Sequence, residues 1–128
     1  MHKILFALLA VFLLSAGGCG DGTGAGSAAV SGAAPVLRDD KIYFFYYDEC
    51  PYCHVAAHSI QSRYVGLPIE LANIHKREGA VLFEACARKF GLGREVGTPL
   101  FCMGDKYIMG WPPGAEEMFD AYVKPFIN

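Results

Sequence analysis

An α/β sandwich around a mixed sheet is the fold class the sequence predicts, and three observations carry that prediction. Residues 41–47 (KIYFFYY) are apolar or aromatic on both alternating sets of positions, as in a central strand covered on both faces. Strand-like and helix-like apolar spacings then alternate along the chain. Two short strand runs meet across Gly104-Asp105, a hairpin signal that adds an antiparallel pair to the sheet.

Taken in order, residues 41–47 form the first strand and 50–64 the first helix. Val55, Ala56, Ile60 and Tyr64 lie on the helix's inner face, and Pro51 sits in the first turn, where a missing N–H costs nothing. Residues 67–74 read as a short second strand entered through Gly66 and Pro68. Residues 78–90 carry Val81, Leu82, Ala85, Cys86 and Phe90 along one helical stripe, ended by Gly91. Residues 99–103 and 106–109 are the hairpin strands, broken at Gly110. Pro112 and Pro113 are expected to open a last helix whose first turns hold Glu116 and Glu117. Ala115, Met118, Phe119, Tyr122 and Val123 are expected to face inward. The result is a sheet of about four strands flanked by three helices.

The chain of 128 residues is 53% hydrophobic with a formal charge of −2, which suits one globular domain. No basic run offers an electrostatic footprint for nucleic acid, so nucleic-acid binding is not expected. Met1-His2-Lys3, the apolar run 4–14 and the small residues 15–18 have the layout of a secretory signal peptide. That run is about half of the roughly 20 residues a spanning helix needs. Ser15-Ala16-Gly17-Gly18-Cys19 resembles the lipobox of bacterial lipoproteins, with Ala16 where that pattern favours Leu. The resemblance implies lipidation of Cys19 and attachment to a membrane on the periplasmic side; simple secretion with Cys19 free or disulfide-bonded is the alternative. Removal of Lys3 with the signal leaves ten Lys/Arg against thirteen Asp/Glu, a net of −3. Gly, Ala and Ser dominate 20–36, a composition that gives a flexible tether spanning roughly 20–25 Å. Three segments are therefore expected: signal 1–18, anchor and tether 19–36, and folded domain 37–128.

Cys50-Pro51-Tyr52-Cys53 falls where the first strand gives way to the first helix. A cysteine at a helix N-terminus faces unpaired N–H groups and the positive end of the dipole, and both favour its thiolate. The second cysteine lies one turn below, placed to resolve a mixed disulfide. With this motif in this context, the sequence resembles the thioredoxin superfamily, and CPYC is the motif glutaredoxins carry. A second match is Gly97-Thr98-Pro99, ahead of the hairpin. The resemblance covers about 41–128. It implies thiol–disulfide oxidoreductase activity with Cys50 as nucleophile and Cys53 as resolving thiol. It also implies a cis Pro99 against the pair, and substrate contacts from Thr98, Pro99, Pro51 and Tyr52. No cofactor is required, and a monomer is expected.

Two departures bear on the partner. Glutathione-using glutaredoxins carry a basic residue before the first cysteine and a Gly-Gly and Asp near the last helix. Here Asp48-Glu49 precede Cys50, and Gly110-Trp111-Pro112 stand in the glycine position. The carboxylates oppose the Cys50 thiolate that the dipole favours, and they repel an anionic ligand. Protein dithiols or disulfides are therefore the expected partners rather than glutathione; Asp48-Glu49 as a plain solvated loop is the bland alternative. Oxidase, reductase and isomerase directions all remain open.

Cys86 and Cys102 read either as two small buried apolar residues or as a structural disulfide. Cys50-x-x-Cys53-His54 also spells a c-type haem attachment signature, with Met103, Met109 or Met118 as conceivable axial ligands. Strands count against it. A copper or zinc carrier using Cys50, Cys53 and His54 is the third reading, although no four-ligand site is spelled out. His58 and His75 read as ordinary polar positions, and Trp111 as packing near the last helix or lining the substrate surface.

Overall fold

The first strand, β1 (Ile42–Tyr46), is the axis of the molecule. Its side chains alternate between two cores, as a pleated backbone requires. Ile42 and Phe44 join Phe101, Met103 and Ile108 on one face. Tyr43 and Phe45 join Leu100 and Cys102 on the other. In the computed structural model, which describes residues 33–127, Ala34 onward forms a compact unit. The signal segment 1–18, Cys19 and most of the tether 19–36 lie outside the described residues.

Around β1 follow α1 (Pro51–Arg63), β2 (Ile69–Asn73), α2 (Arg77–Lys89), β3 (Leu100–Met103), β4 (Lys106–Met109) and α3 (Ala115–Tyr122). The sheet order is β2-β1-β3-β4, with β1 parallel to β2 and antiparallel to β3. The crossover through α1 makes the first pair parallel, and the β3–β4 turn makes the last antiparallel. Gly104 turns that hairpin at φ +65°, a conformation that a side chain resists. Helices α1 and α3 cover the Phe44 face through Ala56, Ile60, Phe119 and Val123. Helix α2 covers the Phe45 face through Leu82 and Cys86. This is the predicted mixed-sheet α/β sandwich with three helices. No described helix is long and apolar enough to cross a membrane.

Three packing expectations are corrected. Val55 is exposed, because α1 meets the sheet along Cys53, Ala56 and Ile60 and Val55 lies off that stripe. Met118 is exposed for the same reason on α3, where Ala115, Phe119 and Val123 are the inward positions. Pro112 and Pro113 precede α3 instead of opening it. Gly114 adopts φ +90°, which no helical residue holds, so the helix starts after it at Ala115.

Two further features hold the helices in place. Gly79 begins the packing of α2 on β2, where a Cβ would overlap the carbonyl of Asn73. Side chains of α1 and of Tyr64 just after it reach across to α3: Ser59 donates to Glu116 at 2.6 Å, Arg63 bonds Glu116 and Asp120, and the Tyr64 hydroxyl donates to Asp120.

Candidate redox site

Cys50 occupies the cap position of α1 in extended backbone (φ −75°, ψ 108°), with Pro51 as the first helical residue. Strand β1 ends at Tyr46, a turn closed by the Cys50 N–H on the Tyr47 carbonyl follows, and the cap residue then starts the helix. Its sulfur does the work usually done by a capping oxygen: Cys50 Sγ accepts the Cys53 N–H at 3.2 Å. Cys53, one turn on, is disulfide-bonded to Cys50 with their Cα atoms 5.2 Å apart.

A second donor converges on the same sulfur. The Thr98–Pro99 peptide bond, in the loop before β3, is cis. Thr98 Oγ1 lies 3.5 Å from Cys50 Sγ and donates toward it. Pro99 is buried beneath, and its carbonyl accepts the Gly110 N–H at 2.7 Å, tying the loop to the end of β4. Two donors aimed at one sulfur stabilise the charge that sulfur carries when the disulfide opens. Cys50 is so equipped.

The loop ahead of Cys50 is held from two sides. His54 Nε2 lies 2.8 Å from the Asp48 carbonyl oxygen, and Asn73 Nδ2 donates to Asp48 Oδ1 at 3.3 Å. Asn73 is buried and its own Oδ1 accepts the His75 N–H, so the end of β2 anchors the loop. Sequence reasoning missed both contacts. His54 was legible only as a ligand candidate, and the Asp48–Asn73 pairing spans 25 residues.

Each expected site residue can now be placed. Cys50, Cys53, Thr98 and Pro99 come together at one end of the sheet. Pro51 and Tyr52 stand exposed beside them, Tyr52 at 64%. Neither sulfur is displayed at the helix tip: Cys50 is 2% exposed and Cys53 is 4% exposed. From the loop before β3 the Thr98 hydroxyl lies against the Cys50 sulfur. Cys86 and Cys102 are joined in a disulfide with Cα atoms 6.3 Å apart, tying α2 to β3 on the opposite face from the redox pair. Trp111 packs against Phe101 and Phe119, in the core under α3. His75 stacks on Tyr47, and His58 is exposed. Among the described residues no three His, Cys, Asp or Glu side chains gather as a metal-holding group.

A cysteine pair one turn apart at a helix N-terminus, faced by a cis-prolyl loop on this sheet order, is the general equipment of a thiol–disulfide oxidoreductase. No protein-family model matches the chain, and no curated protein sequence matches it. Two solved glutaredoxin structures are similar to it. One is from Archaeoglobus fulgidus, at 19% identity over 62% of this chain and 83% of that one, with a TM-score of 0.46. The other is the buckwheat glutaredoxin–glutathione complex, at 20% identity over 66% of this chain and 74% of that one, with a TM-score of 0.47.

Proposed function

We propose that the protein is an exported, membrane-tethered thiol–disulfide oxidoreductase that exchanges its Cys50–Cys53 disulfide with protein partners. The single observation that carries the reading is the convergence of the Cys53 N–H and the Thr98 hydroxyl on Cys50 Sγ. It singles out Cys50 as the sulfur that attacks and leaves.

In the oxidising direction, a client thiolate attacks Cys50 Sγ. The Cys50–Cys53 bond breaks, and its electron pair goes to Cys53 Sγ, which takes up a proton. A second client thiolate then attacks the client sulfur of the mixed disulfide and expels Cys50 as a thiolate held by its two donors. The client dithiol becomes a disulfide and the protein disulfide becomes a dithiol. In the reducing direction the same steps run backward, with Cys50 attacking and Cys53 resolving.

Export and tethering rest on the signal-like 1–18, Cys19 and the Gly/Ala/Ser stretch. A second disulfide at Cys86–Cys102 supports an oxidising compartment. Asp48 and Glu49 beside the nucleophile support protein partners over glutathione. The haem reading needs Cys50 and Cys53 as separate thioether positions; their bonding to each other favours exchange. The test is a turnover assay on the purified full chain with a peptide disulfide and with a glutathione mixed disulfide. Preference for the peptide supports the proposal, and efficient turnover of the glutathione disulfide contradicts the partner assignment.

A further inference from the structure

A groove of ≈ 510 Å³ runs along the flank of α1, away from the Thr98 loop. Ala57, Ile60 and Tyr64 form its helix wall, and Leu67, Ile69 and Leu71 its strand wall. Its upper end is made by Asp48, Cys53 and His54, so the depression is continuous with the redox site. Leu71 is 62% exposed on the outermost strand of the described sheet, a position usually defended by charge.

The backbone of that strand is also available. Ile74 N–H donates to the Tyr46 carbonyl of β1 at 2.9 Å. Alternate residues of a strand point their N–H and C=O to opposite edges, so those of Leu71 point away from β1. The charge at the groove's upper end is negative. Among the described residues Asp48, which lines that end, makes no ion pair, whereas Glu70 is paired with Lys41 at 2.9 Å.

From these features, and resting on the exchange reading above, we infer that the groove receives an extended apolar segment of the client. The segment adds as a strand beside Leu71, with alternate side chains in the groove and a basic residue near the client's cysteine facing Asp48. Backbone bonds to an edge give affinity and the apolar wall gives selectivity. The client class is thus an unfolded or extended polypeptide, not a folded surface or a small thiol.

The test uses the full chain in its oxidised form and a ten-residue peptide of alternating Val and Thr. The peptide carries Arg next to a Ser in place of cysteine, and binding is read by fluorescence anisotropy. Leu71→Glu, at an exposed position that leaves the core intact, is expected to weaken binding about tenfold or more. N-methylation of alternate peptide amides and Arg→Glu in the peptide are each expected to weaken it as well. Equal binding by Leu71→Glu and the parent chain overturns the proposal. So does sedimentation of the full chain as a dimer that Leu71→Glu dissociates, because a second copy then owns the edge. Turnover of bis(2-hydroxyethyl) disulfide by the parent chain, with dithiothreitol as the reductant, is measured alongside: no rate above the uncatalysed one with peptide binding intact sinks the exchange reading alone.

Discussion

At the scale of single residues, the chemistry turns on what surrounds one sulfur. Thr98 Oγ1 and the Cys53 N–H both aim at Cys50 Sγ, and a hydrogen bond to a charged acceptor contributes roughly 1.5–3 kcal/mol. Thr98→Val keeps the side-chain shape and removes one donor. It should slow the reaction of reduced Cys50 with iodoacetamide at neutral pH about tenfold, by lowering the thiolate fraction; an unchanged rate places no weight on that hydroxyl. A second prediction concerns Tyr64. Burial first, then the Asp120 carboxylate that accepts its hydroxyl, raises the Tyr64 pKa above its ordinary 10.0. The fold favours the neutral phenol, so the stabilisation is complete below pH 10 and is lost as pH rises through the raised value. Urea midpoints taken from pH 8 to 11 should fall less steeply for Tyr64→Phe than for the parent chain. At this scale the cysteines, Thr98 and Pro99 were legible because their spacing and neighbours match a known pattern. The near-complete burial of Cys50 was not, because it depends on tertiary packing that brings a residue 48 positions away in sequence against the sulfur.

At the scale of elements, the apolar pattern and the hairpin signal located the four strands and three α-helices of the described residues but not the short 3-10 turns Gly93–Glu95 and Lys124–Phe126, and the boundaries moved by a few residues. Two determinants of the boundaries are local geometry that hydrophobicity does not record. Gly114 at φ +90° delays α3 past its two prolines, and the cap role of Cys50 sets the start of α1 at Pro51. Gly79 is a third case, since the need for glycine comes from a carbonyl six residues earlier. Gly79→Ala should cost roughly 1–3 kcal/mol of stability by forcing α2 off β2. Since Asn73 also holds Asp48, that variant should loosen the loop before Cys50, seen as faster amide hydrogen exchange there. The Cys86–Cys102 disulfide ties α2 to β3 across a separation of 16 residues. Replacing both with Ala should cost about 3 kcal/mol in denaturant unfolding. Because this pair lies on the other face of the sheet, exchange by Cys50 and Cys53 should survive; loss of exchange in a folded double variant would tie the two disulfides together functionally. Sequence left that pair open between thiols and a bond because spacing says nothing about which helix face meets which strand.

At the scale of the whole molecule, one sheet separates two jobs. The α2 face carries the structural disulfide, and the α1–α3 face carries the redox pair, the aromatic core of Phe101, Trp111 and Phe119, and the groove. The mixed-sheet sandwich was legible from the alternation of elements and the hairpin signal, whereas the order β2-β1-β3-β4 was not, because apolar spacing does not say which strands pair. The groove was not: it exists because β2 is the outer strand and Leu71 faces the flank of α1 instead of solvent-averse core. The most direct test of the central claim is trapping. Full-length Cys53→Ser, reduced and mixed with a two-cysteine peptide in its disulfide form, should accumulate a mixed disulfide on Cys50 by intact mass spectrometry, while Cys50→Ser should accumulate none. Equal trapping by both variants, or by neither, contradicts the assignment of Cys50 as the attacking sulfur.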